Sequence, residues 1–121
     1  MGTHAALAVT YDDKSHCCVE RTLDGHLLQD NTKDILLRVL KGEVIVPQDE
    51  ADLIGNGSIE IDNNREHDQE YFLHIDYAKK EIYLLYFPTI EDDEFDVTLL
   101  KELYSHGWKV KWRYECCPLT S

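Results

Sequence analysis

The side chains in this sequence that could do chemistry are six histidines, four cysteines and a large excess of carboxylates. The histidines are His4, His16, His26, His67, His74 and His106, and no two stand four apart, the spacing that sets a pair of ligands on one helix face. His67 and His74 have carboxylates close by in sequence (Glu66, Asp68 and Asp76), as an acid–base or metal site requires. With 24 Asp and Glu among 121 residues, however, such neighbours arise from composition alone.

The cysteines form two adjacent pairs, Cys17-Cys18 and Cys116-Cys117. Neighbours on a strand point to opposite faces, so each pair is expected to place one thiol inside and one outside. The same geometry separates His16 from Cys17 and argues against a histidine-activated thiol nucleophile. Neither pair has the spacer that lets one loop give two ligands to zinc. Reduced, partly buried thiols are the expectation, and a disulfide joining the two ends of the chain is the other reading. Glu91-Asp92-Asp93-Glu94 lacks the spaced ligands and central glycine of a calcium loop. Gly55-Asn56-Gly57 is too short, and its surroundings too acidic, to cradle a phosphate. The residues therefore predict no catalytic group, no metal and no cofactor.

Charge is the remaining signal. The formal net charge is −12, from 24 acidic and 12 basic residues, and it disfavours direct contact with nucleic acid or an anionic membrane. Residues 43–70 hold nine acidic residues against Arg65 alone, a net of −8, and residues 91–96 add −5. Brought together, these segments would present a field of carboxylates that imitates a phosphate backbone and suits a basic protein partner, including one that binds nucleic acid. Asp49, Glu50, Asp52, Glu91, Asp92, Asp93 and Glu94 are the candidate partner-binding residues. The plainer reading of the same acidity is solubility. A basic stripe, Lys109, Lys111 and Arg113, runs beside Trp108 and Trp112. Strand alternation puts the tryptophans on the other face, so the stripe is expected to pair with acidic neighbouring strands rather than to bind single-stranded nucleic acid.

The elements that must position these groups follow from periodicity and turn chemistry. Residues 5–11 and 16–23 read as a first hairpin. Asn31 or Thr32 is expected to cap a helix that runs to Lys41 with Ile35, Leu36, Val39 and Leu40 on one face, and Gly42 stops it. Pro47 opens a short helical turn, and residues 58–62 read as a short strand. Tyr71, Leu73, Ile75 and Tyr77 share one side of a second hairpin that turns at Ala78-Lys79-Lys80 and returns over residues 81–87. Asp96 is expected to cap a second helix carrying Val97, Leu99, Leu100 and Leu103, stopped by Gly107. Residues 108–115 alternate as a last strand. The expected architecture is one α+β domain over residues 1–121: an antiparallel sheet of about five to six strands with two main helices on one face. Leu36, Leu40, Leu73, Ile75, Leu84, Leu100, Leu103, Val110 and Trp112 are its expected core.

No apolar run is long enough to span a bilayer, and Met1-Gly2-Thr3-His4 lacks the start of a secretory signal, so a cytoplasmic protein is expected. The opening Met1-Gly2-Thr3, the turn Leu23-Asp24-Gly25-His26, the helix end Leu40-Lys41-Gly42 and the tyrosine-rich Glu70-Tyr71-Phe72-Leu73-His74-Ile75-Asp76-Tyr77 together resemble a group of small uncharacterised phage and bacterial proteins. Members of that group open Met-Gly-Thr-Arg and carry an Asp-Gly-Tyr-Pro turn; here His4 stands for the arginine and His26-Leu27 for Tyr-Pro. The resemblance implies a phage-associated context and supplies no catalytic residues.

The function expected from these readings is non-enzymatic: an acidic binding protein that docks onto a basic site of another protein, such as a phage-encoded inhibitor of a host defence or nucleic-acid-handling protein. A toxin-neutralising immunity protein is a close variant. The alternative class is a small enzyme or ligand-binding domain whose pocket is lined by tyrosine and histidine.

Overall fold

A computed structural model of the chain describes residues 4–12, 16–21, 26–50, 71–86 and 93–114. The elements, in chain order, are strand β1 (Ala5–Thr10), strand β2 (His16–Arg21), helix α1 (His26–Leu40), a 3-10 turn (Pro47–Glu50), strand β3 (Tyr71–Asp76), strand β4 (Glu81–Tyr86), helix α2 (Asp93–Ser105) and strand β5 (Lys109–Tyr114). They form an α+β fold around one five-stranded sheet of order β2-β1-β3-β4-β5.

Both expected hairpins are present, β1–β2 and β3–β4, each antiparallel. The expectation of an antiparallel sheet is corrected, because β1 pairs with β3 and β4 with β5 in parallel. Hairpin signals are local and specify only strands joined by a tight turn. A parallel pair needs a crossover, which α1 and α2 lie within here. The expected strand at residues 58–62 lies outside the described residues.

Strand alternation sorts side chains to two faces. Ala5, Leu7, Val9, Val19, Leu73, Ile75, Ile82, Leu84 and Val110 make one core with Leu28, Ile35, Leu36 and Val39 of α1 and Leu99 and Leu103 of α2. Both helices therefore pack on the same face of the sheet. On the other face Ala6, Ala8 and Phe72 form a small second cluster with Tyr83 against it. Of the expected core, Leu36, Leu73, Ile75, Leu84, Leu103 and Val110 are buried. Leu40 and Leu100 are only partly so, and the Trp112 side chain lies outside the description.

Both helices end where the sequence predicts and begin earlier than it predicts. Gly42 and Gly107 have φ of 90° and 87°, the left-handed conformation glycine adopts without strain. Each closes a Schellman motif, with Glu43 N–H donating to Arg38 O and Gly42 N–H to Val39 O, and likewise Trp108 to Leu103 and Gly107 to Tyr104. Asn31 and Thr32, however, sit inside α1. Asn31 Nδ2 donates to Leu27 O at 2.8 Å and Thr32 Oγ1 to Leu28 O at 2.6 Å, so these polar side chains satisfy the preceding turn instead of starting a helix. Leu28, 1% exposed, extends the apolar stripe one turn earlier. Helix α2 begins at Asp93, three residues before the expected cap at Asp96. Acidic residue types in a first turn favour that extension, because the macrodipole is positive there.

One end of the sheet is closed by an aromatic clasp. Tyr11 stacks on Tyr77 (centroids 6.2 Å apart), and Tyr77 meets Trp108 edge-on at 5.6 Å. The Tyr77 hydroxyl donates to Glu43 O at 2.9 Å and accepts from Ile45 N–H at 3.0 Å, while Tyr11 donates to Ile45 O at 2.8 Å. The segment after α1 is thus tied to the ends of β1 and β3. Burial raises the Tyr77 phenol above its ordinary value of 10.0, with its hydrogen bond to Ile45 opposing. The fold therefore favours the neutral phenol, and that contribution is present below pH 10.0 and lost as pH rises through the raised value.

Two outcomes are expected. Tyr77→Phe leaves a buried amide and a carbonyl without their partner and should lower stability by about 1–3 kcal/mol in urea melts. An unchanged midpoint would mean the clasp is incidental. The second concerns the thiols. β2 and β5 lie at opposite edges, four strand spacings or about 19 Å apart. Three residues beyond Tyr114 reach at most about 10 Å, and a disulfide needs Cα atoms within about 7 Å. A bridge from Cys17 or Cys18 to Cys116 or Cys117 would have to span that width, so reduced thiols remain the expectation. Reducing agent should leave the melting temperature unchanged, and mass measurement without reductant should find no intrachain cross-link between the pairs.

Candidate functional site

The acidic candidates divide when placed on the fold. Asp49 is exposed on the 3-10 turn. Glu50 is not available to a partner, because its side chain is 10% exposed and bridges Arg38 Nη1 at 2.5 Å. The same guanidinium reaches Glu43 from Nε at 2.7 Å. Hydrogen bonds to Glu43 and then Glu50 raise the Arg38 pKa further and fix its charge. Glu50 is therefore withdrawn as a surface contact; it anchors the 3-10 turn to α1. Asp93 and Glu94 fall in the first turn of α2 rather than in a loop. Asp52, Glu91 and Asp92 lie outside the described residues, as do His67, Cys116 and Cys117. Cys17 and Cys18 are registered with Val9 and Ala8 on edge strand β2. Exposed carboxylates also occur outside the dense acidic segments, at Asp30 and Asp34 of α1 and Glu102 of α2. Among the described residues no three His, Cys, Asp or Glu side chains gather as a metal site.

A different group does converge. On the sheet face away from the helices, His74, Asp76, Lys79, Glu81, Tyr83 and Lys111 line an open depression of about 350 Å³. Its floor follows from register: in the second hairpin His74 stands opposite Tyr83 and Asp76 opposite Glu81, and in the parallel pair Tyr83 stands beside Lys111. His74 Nε2 and Thr10 Oγ1 are hydrogen-bonded across β1 and β3 at 2.8 Å. Phe72 lies alongside on the same face, its ring centroid 6.3 Å from that of His74 and 6.1 Å from that of Tyr83, both edge-on. The turn supplies the rim, where Asp76 Oδ1 accepts the Lys79 N–H at 3.0 Å. Lys80 has φ 55°, unusual for a residue with a side chain. Its ammonium donates to His106 O at 2.7 Å, at the C-terminus of α2, and lies 5.7 Å from the Trp108 ring centroid, which helps hold that conformation.

Lys111 Nζ meets Glu81 Oε2 at 3.0 Å, so the basic stripe does pair with the neighbouring strand at this position. That hydrogen bond is the first cause of a lowered Glu81 pKa; the charges of Lys111, Lys79 and Lys109 add to it, and desolvation opposes. In the sequence His74, Asp76 and Lys111 stand out separately, while nothing sets Tyr83 or Glu81 apart. The signal that unites them is the hairpin register set by the turn at residues 77–80, which fixes which residues stand opposite one another.

No protein-family model and no curated protein matches the sequence. Among solved structures the chain is similar to the NMR structure of TA0956 with a TM-score of 0.45 and 11% identity, covering 94% of this chain and 100% of that one. At that level the likeness carries no argument about function.

The Glu81 carboxyl should titrate below the usual glutamate range in a carbon-detected NMR titration, and Lys111→Gln should move it back up. Because the folded value is the lower one, the pair's contribution to stability is present above the usual glutamate value and fades as pH falls through the depressed one. A Glu81 titration indifferent to Lys111→Gln would mean the contact does not persist in solution.

Proposed function

We propose that this chain is a non-enzymatic acidic binding protein that docks onto a basic site of a partner protein. The supporting observation is a net charge of −12, with Asp30, Asp34, Asp49 and Glu102 exposed while Arg38 and Lys111 are engaged by carboxylates of the chain itself. A surface of this kind steers an oppositely charged partner and repels phosphate, so a protein that handles nucleic acid fits better than nucleic acid. The phage-like opening of the sequence suits an inhibitor of a host defence or nucleic-acid-handling protein acting in the cytoplasm, and a toxin-neutralising immunity protein would use the same contact. Among the described residues no helix is long and apolar enough to cross a membrane. A second reading, a small ligand-binding domain, is favoured by the depression that brings His74 and Tyr83 together.

The test uses a partner isolated by affinity capture and measures its association rate against ionic strength. Asp30→Asn, Asp34→Asn, Asp49→Asn and Glu102→Gln combined take the net charge from −12 to −8, since four carboxylates are removed. These replacements spare the first turn of α2, where reversal of Asp93 and Glu94 would also weaken the helix. The wild-type rate should fall by on the order of tenfold or more between low and high salt. The fourfold variant should associate more slowly at low salt and converge with wild type at high salt. Equal rates with no salt response would overturn the acidic-surface reading.

A further inference from the structure

The depression on the outer sheet face has a charge balance unlike the molecule that carries it. Of its six lining residues two are anionic, Asp76 and Glu81, and two cationic, Lys79 and Lys111, inside a chain of net charge −12. The opposite signs are interleaved rather than segregated. Glu81 stands opposite Asp76 across the hairpin and holds Lys111 at 3.0 Å, and Lys79 donates its backbone N–H to Asp76. Tyr83 adds an aromatic wall, packed on Phe72. The volume of about 350 Å³ is at the small end of the range for small-molecule sites, roughly 300–1,000 Å³.

The ligand chemistry follows by elimination. A simple anion would gain from Lys79 and Lys111 but meet Asp76 and Glu81, and the net charge of the chain would repel it on approach. A simple cation would be attracted from a distance but meet two ammonium groups at the site. A phosphorylated ligand, doubly anionic, is disfavoured on both counts. A small molecule with both an ammonium and a carboxylate has no net charge to be repelled, and it offers each of the four charged lining residues a group of opposite sign. From these observations we propose that the depression binds a small zwitterion of amino-acid size. Its carboxylate lies toward Lys79 and Lys111, its ammonium toward Asp76 and Glu81, and its side chain along Tyr83. This inference rests on the second functional reading and is independent of the acidic docking surface, whose test uses substitutions outside the depression.

Glycine, L-alanine and L-threonine are the probes, with acetate and methylammonium as the two half-ligands, each titrated into the isotope-labelled full chain and followed by amide and side-chain NMR shifts. Saturable shifts centred on His74, Tyr83 and Lys111 are expected with at least one of the amino acids, at a Kd of about 1 mM or tighter, with each half-ligand at least about tenfold weaker. Glu81→Gln removes the ammonium partner and releases Lys111 from its bridge. It should weaken the amino acid by about tenfold and strengthen acetate, inverting the preference. Three results would each overturn the proposal: no saturable shift with any of the three amino acids, shifts centred elsewhere, or acetate binding as tightly as the amino acid in the wild-type protein. The half-ligand comparison needs no substitution, so it stands even if the variant folds poorly.

Discussion

The parallel pairing of β1 with β3 is the contact on which the rest of the fold depends. It joins the N-terminal hairpin and α1 to everything that follows Tyr71, and it runs in register over all six residues of β1, from Ala5 beside Tyr71 to Thr10 beside Asp76. On its other side β1 pairs with β2 over the same residues, so the strand has a neighbour along both edges. Residues 5–9 of β1 are all buried, because the helices cover Ala5, Leu7 and Val9 and the second cluster takes Ala6 and Ala8. A parallel ladder is slightly weaker per residue than an antiparallel one and is found where both faces are protected. The three alanines in the strand suit that position, since small side chains let neighbouring layers approach without overpacking.

Parallel alignment of β1 and β3 also brings their C-terminal ends to one edge of the sheet, and the clasp is built there. Tyr11 follows β1 directly and Tyr77 follows β3 directly, so their stacking is a consequence of register: Tyr77 N–H donates to Thr10 O at 2.8 Å, continuing the ladder by one more bond. Trp108, placed by the Schellman end of α2, closes against Tyr77. The segment after α1 then has a ready set of partners for its backbone, and its Glu43 and Glu50 carboxylates, both held by the Arg38 guanidinium, pin its ends. Each of these interactions contributes on the order of 1 kcal/mol. Their shared location at one edge makes them mutually supporting, because losing the stack would loosen the hydroxyls that hold Glu43 and Ile45.

What could be read from the sequence separates cleanly by range. Gly42 and Gly107 were legible because a helix that ends in a left-handed residue strongly prefers glycine, a constraint local to one position. The hairpins were legible because alternation and turn residues sit within a dozen positions of one another. Helix starts were not, since Asn31 and Thr32 have cap chemistry that α1 uses inside the helix, and α2 already begins at Asp93. The two parallel pairings were not either, because no local signal links Ala5 to Tyr71. One clue lay in β1 itself: Ala-Ala-Leu-Ala-Val reads as continuously apolar instead of alternating, which is the pattern of a strand buried on both faces. The depression was half legible. His74, Asp76 and Lys111 each stand out in the sequence, but their meeting depends on the hairpin register and on β5 lying beside β4, which composition does not encode.

The fate of Glu50 shows how acidity should be weighed in such a chain. In sequence it is one of nine acidic residues in a segment with a single arginine, and its neighbours give no reason to set it apart. In the fold it faces Arg38, twelve residues earlier on a different element, and its charge is spent internally. Glu43 is likewise paired, with the same arginine. Carboxylates paired in this way are poor contacts for a partner, because docking would have to break an existing bridge before forming a new one. Asp30 and Asp34 differ in kind: one helical turn apart on the exposed side of α1, they repel each other mildly in the free protein. A basic surface that covers both relieves that repulsion as well as forming new contacts. The acidic residues best suited to recognition are therefore those the fold leaves in mutual repulsion, not those in the densest stretch of sequence.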